Sequence, residues 1–273
     1  MNKLKYTVVV DNIESQTLRG EWGLCIYIEY GDKKILLDTG ASNLFAKNAE
    51  ALGIDLSQVD IAALSHAHYD HANGMEKFFQ LNDKAKFYVQ EATSDNCYYR
   101  YWFIHKYIGI PKGILARFSD RIAYTKGKEQ IAEGIYILGH TTEGLSAIGK
   151  REKMYQKKDG RYYPDDFSHE QSLIFETDKG LVVFNSCSHG GAANIIREVQ
   201  KAFPGESVYA LIGGFHLYNK PESEIKDLAA KIKETGAQYI CTGHCSEKKG
   251  CRILTEELGD IMHTLQVGLV EEF

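Results

Sequence analysis

The stretch Ser65-His66-Ala67-His68-Tyr69-Asp70-His71 puts three imidazoles and one carboxylate within six residues. In extended chain, side chains two apart point the same way, so His66 and His68 can converge on one metal ion. Where the chain turns, Asp70 and His71 swing to an adjacent point. Four ligands split two and two suggest two ions side by side, with room for a bridging water. The alternative is a set of surface histidines at a helix start, with Asp70 as a cap. Imidazoles at this density have little packing value, which favours metal.

The neighbouring elements must position this cluster. Asp60–Leu64 is short, apolar and mostly small, as expected of a buried strand. Ala72–Phe79 can start a helix, so the cluster lies at a strand end, where ligands collect in α/β sheets. Upstream, Leu24–Tyr30 and Lys34–Leu37 form a hairpin around Gly31-Asp32-Lys33. Asp38 at its exit is either a loop cap or an orienter of a ligating histidine. Asn43–Leu52 carries a helical pattern stopped at Gly53. A second hairpin, Ser172–Glu176 and Leu181–Phe184, runs into Asn185-Ser186-Cys187 on the same plan, a weak internal repeat. Helix and strand then alternate: Ala192–Ala202, Val208–Ile212, Glu222–Glu234 and Gln238–Cys241. Three of the strand ends in this half carry histidines, His189, His216 and His244, which packing alone does not explain.

These motifs together resemble the metallo-β-lactamase superfamily. The resemblance rests on H-x-H-x-D-H at 66–71 and on Leu36-Leu37-Asp38-Thr39-Gly40 upstream. Asn185–Gly191, Gly213–Leu217 and Thr242–Cys245 resemble its metal-dependent hydrolase branch, labelled 7,8-dihydropterin-6-methyl-4-(β-D-ribofuranosyl)-aminobenzene-5′-phosphate synthase-like. The resemblance implies an α/β fold, a four-layer αββα sandwich in a single domain over 1–273. It implies one metal held by His66, His68 and His189 and a second held by Asp70, His71 and His244. The superfamily usually supplies a bridging Asp after the second hairpin. This chain has Asn185, Ser186 and Cys187 there, so either Cys187 ligates a metal, or the bridge is only solvent, or the second site is weak; Asp38 at the hairpin exit is a separate candidate as ligand or orienter. Two divalent ions follow, zinc foremost, with manganese or iron as alternatives.

The middle of the chain is less legible. Asp95–Phe118 holds Tyr98, Tyr99, Tyr101, Trp102, Phe103, His105 and Tyr107, too aromatic to lie free in water as a plain helix. It is expected to form part of a helical, aromatic-rich insertion at about 95–166, serving as a wall over the metals or a dimer face. His105 is expected to pack rather than ligate. Arg121–Leu138 reads as two short strands and Lys150–Asp166 as an exposed excursion. His140 is in an H-T pair of the kind that the superfamily uses at its third metal motif, but the following residues fit poorly.

Composition bounds the function. The 273 residues are 44% hydrophobic and 25% charged with net charge −5, an ordinary soluble globule without a basic footprint for nucleic acid. No run of ~18 apolar residues suggests a membrane span. The N-terminus reads as a first strand rather than a signal peptide. Six cysteines are too few for a disulfide scaffold, so a cytoplasmic setting is expected.

The expected chemistry is hydrolysis of a small-molecule ester or phosphoester by a metal-activated hydroxide. Asp70 would hold one ion and orient the hydroxide. His216 would contact substrate, donate a proton to the leaving group or serve as an additional ligand, and Glu170 and Gln171 would line the rim. The alternatives are the synthase reaction of the branch label and a non-catalytic metal-binding protein. A flavodiiron-type redox role fails because those proteins place Glu where His68 stands and add a flavin domain.

Overall fold

The computed structural model describes residues 2–273. Two seven-stranded mixed sheets pack face to face. The first has the order Val270–Glu272, Leu4–Val10, Cys25–Tyr30, Lys33–Leu37, Ile61–Ala63, Lys86–Gln90 and Ile122–Thr125. The second runs Met262–Thr264, Tyr239–Thr242, Val208–Ile212, Gly180–Phe184, Gln171–Thr177, Ile135–Gly139 and Lys128–Ala132.

Period-two side-chain alternation assigns the two faces of each strand. Ile26, Ile28, Ile35 and Leu37 of the first sheet meet Leu173, Phe175, Val182 and Phe184 of the second in the central core. Cys25, Tyr27 and Leu36 point outward onto Phe45, Met75 and Phe78 of the covering helices. Ile174, Leu181, Val183 and Leu211 face helices Ala192–Ala202, Glu222–Thr235 and Glu247–Leu258. This is the expected four-layer αββα sandwich. The strands are apolar on both faces because both faces are covered.

Both expected hairpins form, as Cys25–Tyr30 with Lys33–Leu37 and Gln171–Thr177 with Gly180–Phe184. Each ends at the seam between the sheets. The strand leading to the histidine cluster, Ile61–Ala63, lies parallel between Lys33–Leu37 and Lys86–Gln90. The first strand covers Leu4–Val10, and Met1 lies outside the described residues.

The aromatic middle departs from the helical expectation. Cys97–Tyr101 and Ile104–Tyr107 pair as a hairpin, and Met154–Lys158 with Arg161–Pro164 completes a four-stranded antiparallel sheet. Tyr, Trp, Phe and Ile are β-formers whose rings interact across strands. Tyr98 and Tyr107 meet edge-on at 5.5 Å, and His105 stacks on Tyr162 at 3.7 Å. His105 therefore packs, as expected. Helix in the segment is limited to Ile114–Arg117 and Leu145–Glu152. Nor is 95–166 one insertion, because Ile122–Thr125 joins the first sheet and Lys128–Ala132 and Ile135–Gly139 join the second. Arg121–Leu138 thus gives three strands rather than two. The turn Tyr101–Ile104 is exposed, with Trp102 and Phe103 the most open of its residues. Among the described residues, no helix is long and apolar enough to cross a membrane.

Candidate metal centre

Asp38 organises the site. It leaves the first hairpin with φ +60° and is fully buried. Its Oδ1 accepts the Ser65 N–H at 2.7 Å. Its Oδ2 accepts Ser65 Oγ at 2.7 Å, Ser186 Oγ at 2.6 Å and His71 Nδ1 at 2.8 Å. Asp38 thus joins the first hairpin, the histidine loop and the second hairpin, in the orienting role.

These bonds determine ring tautomers. The single Ser65 hydroxyl proton goes to Asp38, so His66 Nδ1 donates to Ser65 Oγ at 2.9 Å. His66 Nε2 is left buried with no partner. His71 gives its Nδ1 proton to Asp38, which frees its Nε2. His244 gives its Nδ1 proton to Asn12 Oδ1 at 3.1 Å, and that oxygen also accepts the Gly23 N–H at 3.2 Å. His71 Nε2 and His244 Nε2 therefore face each other at 3.2 Å with lone pairs toward one another. Two buried lone pairs in that arrangement call for a cation.

Further donors surround the same point. Asp70 Oδ2 is 3.8 Å from His71 Nε2 and 3.6 Å from His244 Nε2, and Cys187 Sγ is 3.4 Å from His71 Nε2. Ligand bonds of ~2.0–2.3 Å in a tetrahedral site imply donor separations of this size. Beside it, His66, His68 and His189 bring ligand atoms within 4.8 Å of one another. His68 Nε2 and both ring nitrogens of His189 are buried without partners. Cys187 also groups with His66 and His71, so its sulfur lies between the two donor sets. The residues gathered here therefore fit a divalent metal.

Burial drives the imidazoles of His66, His68, His189 and His244 well below the usual range, which keeps them neutral as ligation requires. Burial also lowers His71, but Asp38 and Asp70 outweigh it and raise this ring. Burial raises Asp70 and Cys187. It raises Cys245 too, but bonds to Cys187 and His216 outweigh it and bring that thiol below its usual range.

His216 enters from the loop Gly213–Leu217 with φ +52°. Its ring lies 4.5 Å from that of His189, and both its ring nitrogens are unpartnered. Asp38, Ser188, His216 and His244 all hold positive φ beside the centre, where backbone strain commonly collects. Glu152 lies 3.8 Å from His216 Nε2, accepts Asn219 Nδ2 at 2.7 Å and pairs with Lys220. Burial alone would raise the Glu152 carboxyl, but Lys220 and Asn219 hold it below its usual 4.5. Its ion pair therefore stabilises the fold above about pH 4.5 and is lost as pH falls through the lower folded value. Glu152→Gln is expected to cost about 3 kcal/mol near pH 7. That deficit should shrink toward zero in urea denaturations at progressively lower pH, and a pH-independent deficit would remove the ion pair as its cause.

Other expected site residues lie elsewhere. His140 bonds Ser172 Oγ at 2.7 Å and Glu198 Oε2 at 2.8 Å, away from the donors. Glu170 accepts the His189 N–H at 3.0 Å and so shapes its turn. Gln171 bonds Leu64 O and Thr125 Oγ1 rather than lining a rim. Sequence reasoning missed His169, which accepts the Ala67 N–H at 3.2 Å and lies 3.3 Å from Asp165 and 3.6 Å from Cys97. Its place two residues before the second hairpin, next to Glu170, was the available signal. Asn12 and Asp11, which holds the His244 N–H at 2.9 Å, were also missed.

The donors open onto a cleft of about 650 Å³ lined by Trp22, Tyr69, Tyr99, Tyr107, Tyr218 and Lys106 among others. Trp22 lies 5.6 Å from the His244 ring and 6.1 Å from the Tyr218 ring. The small sheet, through Tyr99, Lys106 and Met154, forms one wall.

Comparison with known proteins agrees with this geometry. The family model for the metallo-β-lactamase superfamily matches residues 21–192. A Methanocaldococcus jannaschii protein named 7,8-dihydropterin-6-methyl-4-(β-D-ribofuranosyl)-aminobenzene-5′-phosphate synthase is 27% identical, over 97% of this chain and 98% of its own. The crystal structure of Tm1679, a metal-dependent hydrolase of the β-lactamase superfamily, superimposes with TM-score 0.82 at 25% identity over 99% of each chain. The fold is shared more distantly with YhfI of Bacillus subtilis, at TM-score 0.60 and 13% identity over the whole of both chains. With its family model covering more than half its length and its donors gathered at one end of the sandwich, this chain belongs to the metallo-β-lactamase superfamily.

Proposed function

We propose that the protein is a metal-dependent hydrolase of a small, ring-bearing ester or phosphoester. The observation that carries this reading is the pair of adjacent buried donor sets at the floor of an aromatic cleft. His66, His68 and His189 would hold one divalent ion, and Asp70, His71 and His244, with Cys187 between the sets, a second. Such ions, when bound, supply Lewis acidity and a hydroxide nucleophile near neutral pH.

The chain's own groups do the rest. Asp38 and Asn12 keep the imidazole tautomers that leave Nε2 free. Trp22, Tyr99 and Tyr218 offer ring faces to an aromatic substrate, and Lys106 offers a cation to its phosphate. His216, unpartnered and beside Glu152, is placed to give a proton to the leaving oxygen.

A second reading has its own support. The relative matched along nearly its whole length is named for a product containing a dihydropterin, an aminobenzene and a ribose phosphate. A cleft of aromatic walls with one lysine suits such ring-and-phosphate pieces as well.

Metal content by mass spectrometry, on protein purified without added metal, comes first, with an expected two equivalents per chain. Phosphodiesters, phosphomonoesters and esters are then assayed with and without chelator. Chelator-sensitive hydrolysis supports the first reading. Turnover only when an aryl amine and a ribosyl phosphate are supplied together moves the assignment to the second. No bound metal after reconstitution overturns both.

A further inference from the structure

Cys245 has no role in the donor sets above, yet its sulfur is built into the same place. Its Sγ lies 3.4 Å from Cys187 Sγ, and Cys187, His244 and Cys245 bring their ligand atoms within 4.8 Å of one another. Both sulfurs line the cleft floor. The loop Gly213–Tyr218 wraps this sulfur. The His216 backbone N–H donates to Cys245 Sγ at 3.2 Å, a contact that favours thiolate over thiol. The Leu217 and Tyr218 N–H groups both bond Cys245 O, at 2.9 and 3.0 Å. A Cβ at position 214 would stand 2.5 Å from the sulfur, so the backbone can close around it only with glycine there.

These contacts do not belong to a cysteine that merely fills space. A buried thiol acting as a small hydrophobe needs neither an N–H aimed at its sulfur nor a glycine cut away for it. On the other side of Cys187 stand His71 Nε2 at 3.4 Å and, 3.2 Å beyond, His244 Nε2. Cys187 Sγ thus lies 3.4 Å from both Cys245 Sγ and His71 Nε2, and His71 Nε2 lies 3.2 Å from His244 Nε2, while the ligand atoms of Cys187, His244 and Cys245 fall within 4.8 Å of one another.

We infer that Cys187 and Cys245 both ligate the second ion with His71 and His244, making that half of the centre a thiolate–imidazole site selective for a thiophilic divalent ion. This rests on the metal-dependent reading and deepens it. Soft sulfur donors with imidazole select zinc over manganese or magnesium, whereas the all-imidazole set of His66, His68 and His189 is less discriminating. Asp70, 3.8 and 3.6 Å from the His71 and His244 Nε2 atoms, stays within reach of the same ion as a further oxygen donor.

The test is cobalt(II) substitution followed by electronic absorption, with the bound cobalt counted by mass spectrometry. The wild type is expected to show a near-ultraviolet thiolate-to-cobalt band. Cys245→Ser and Cys187→Ser should each roughly halve it, and the double variant should lose it. Cys251→Ser, which alters a buried cysteine whose sulfur bonds Thr242 O in the helix-side core, should leave it unchanged. Circular dichroism checks that each variant folds, and a variant that fails to fold is replaced by Cys245→Ala, scored the same way. Cobalt bound with its visible bands but with a thiolate band unmoved by Cys245 substitution overturns this inference and leaves the metal-dependent reading standing. No bound cobalt in folded wild type overturns both. Competition of equal zinc and manganese for the apoprotein is a second readout. Cys245→Ser should lower the zinc preference at one equivalent by at least tenfold, and an unchanged preference counts against the inference.

Discussion

Asp38→Asn is expected to lose the metal at the His71 side and to destabilise the fold by about 3–4 kcal/mol. Asp38 is buried and accepts four hydrogen bonds with its two oxygens. An asparagine keeps one acceptor and presents an NH₂ where the other stood. If the amide oxygen keeps the Ser65 N–H, the NH₂ meets Ser65 Oγ, Ser186 Oγ and His71 Nδ1. The serine hydroxyls can rotate to accept. His71 must move its proton from Nδ1 to Nε2, and a protonated Nε2 cannot ligate. Losing an orienting partner of this kind typically weakens metal affinity ~10–100-fold. Urea denaturation and metal counting on the same preparations separate the two effects. A variant destabilised to this extent with full metal content would reduce Asp38 to a structural tie.

The second large effect is expected at His244. His244→Ala removes the Nε2 that faces His71 at 3.2 Å and leaves the His66, His68 and His189 set whole. About one of two equivalents of metal should go, and kcat/KM on any substrate found should fall on the order of 10³-fold, which corresponds to ~4 kcal/mol of transition-state stabilisation. Asn12→Ala, which frees the tautomer but keeps the ligand, should lose only about tenfold. Equal losses in the two variants would place the effect in the loop's position rather than in ligation.

Local pattern made much of this legible. The cluster at 66–71 and both hairpins stand out because extended strands alternate and turns carry their own residues. The histidines at strand ends were found for the same reason, and His189, His216 and His244 do converge. What stayed hidden depends on partners distant in the chain. Asn12 serves a histidine 232 residues away, and Ser186 completes the bonding of Asp38 from 148 residues away. Cys245 stood in view beside His244, but only the wrapping of its sulfur by Gly214 and His216 gives it a role. The helical expectation for 95–118 undervalued Tyr98, Tyr99, Tyr101 and Ile104 as β-formers. It also missed Asp159-Gly160, both with positive φ, a hairpin turn signal between Lys158 and Arg161.

The placement of the two tryptophans has an optical consequence. Trp22 stands against the ring of His244, while Trp102 is 78% exposed at the turn of the small sheet. Intrinsic emission is therefore the sum of a component from Trp22, itself 40% exposed, that senses the charge at the cleft floor and a component from the more open Trp102 that senses bulk water. An acrylamide-type quencher reaches the second first. What remains after quenching follows the occupancy of the cleft, so the chain carries its own fluorescent reporter without a label.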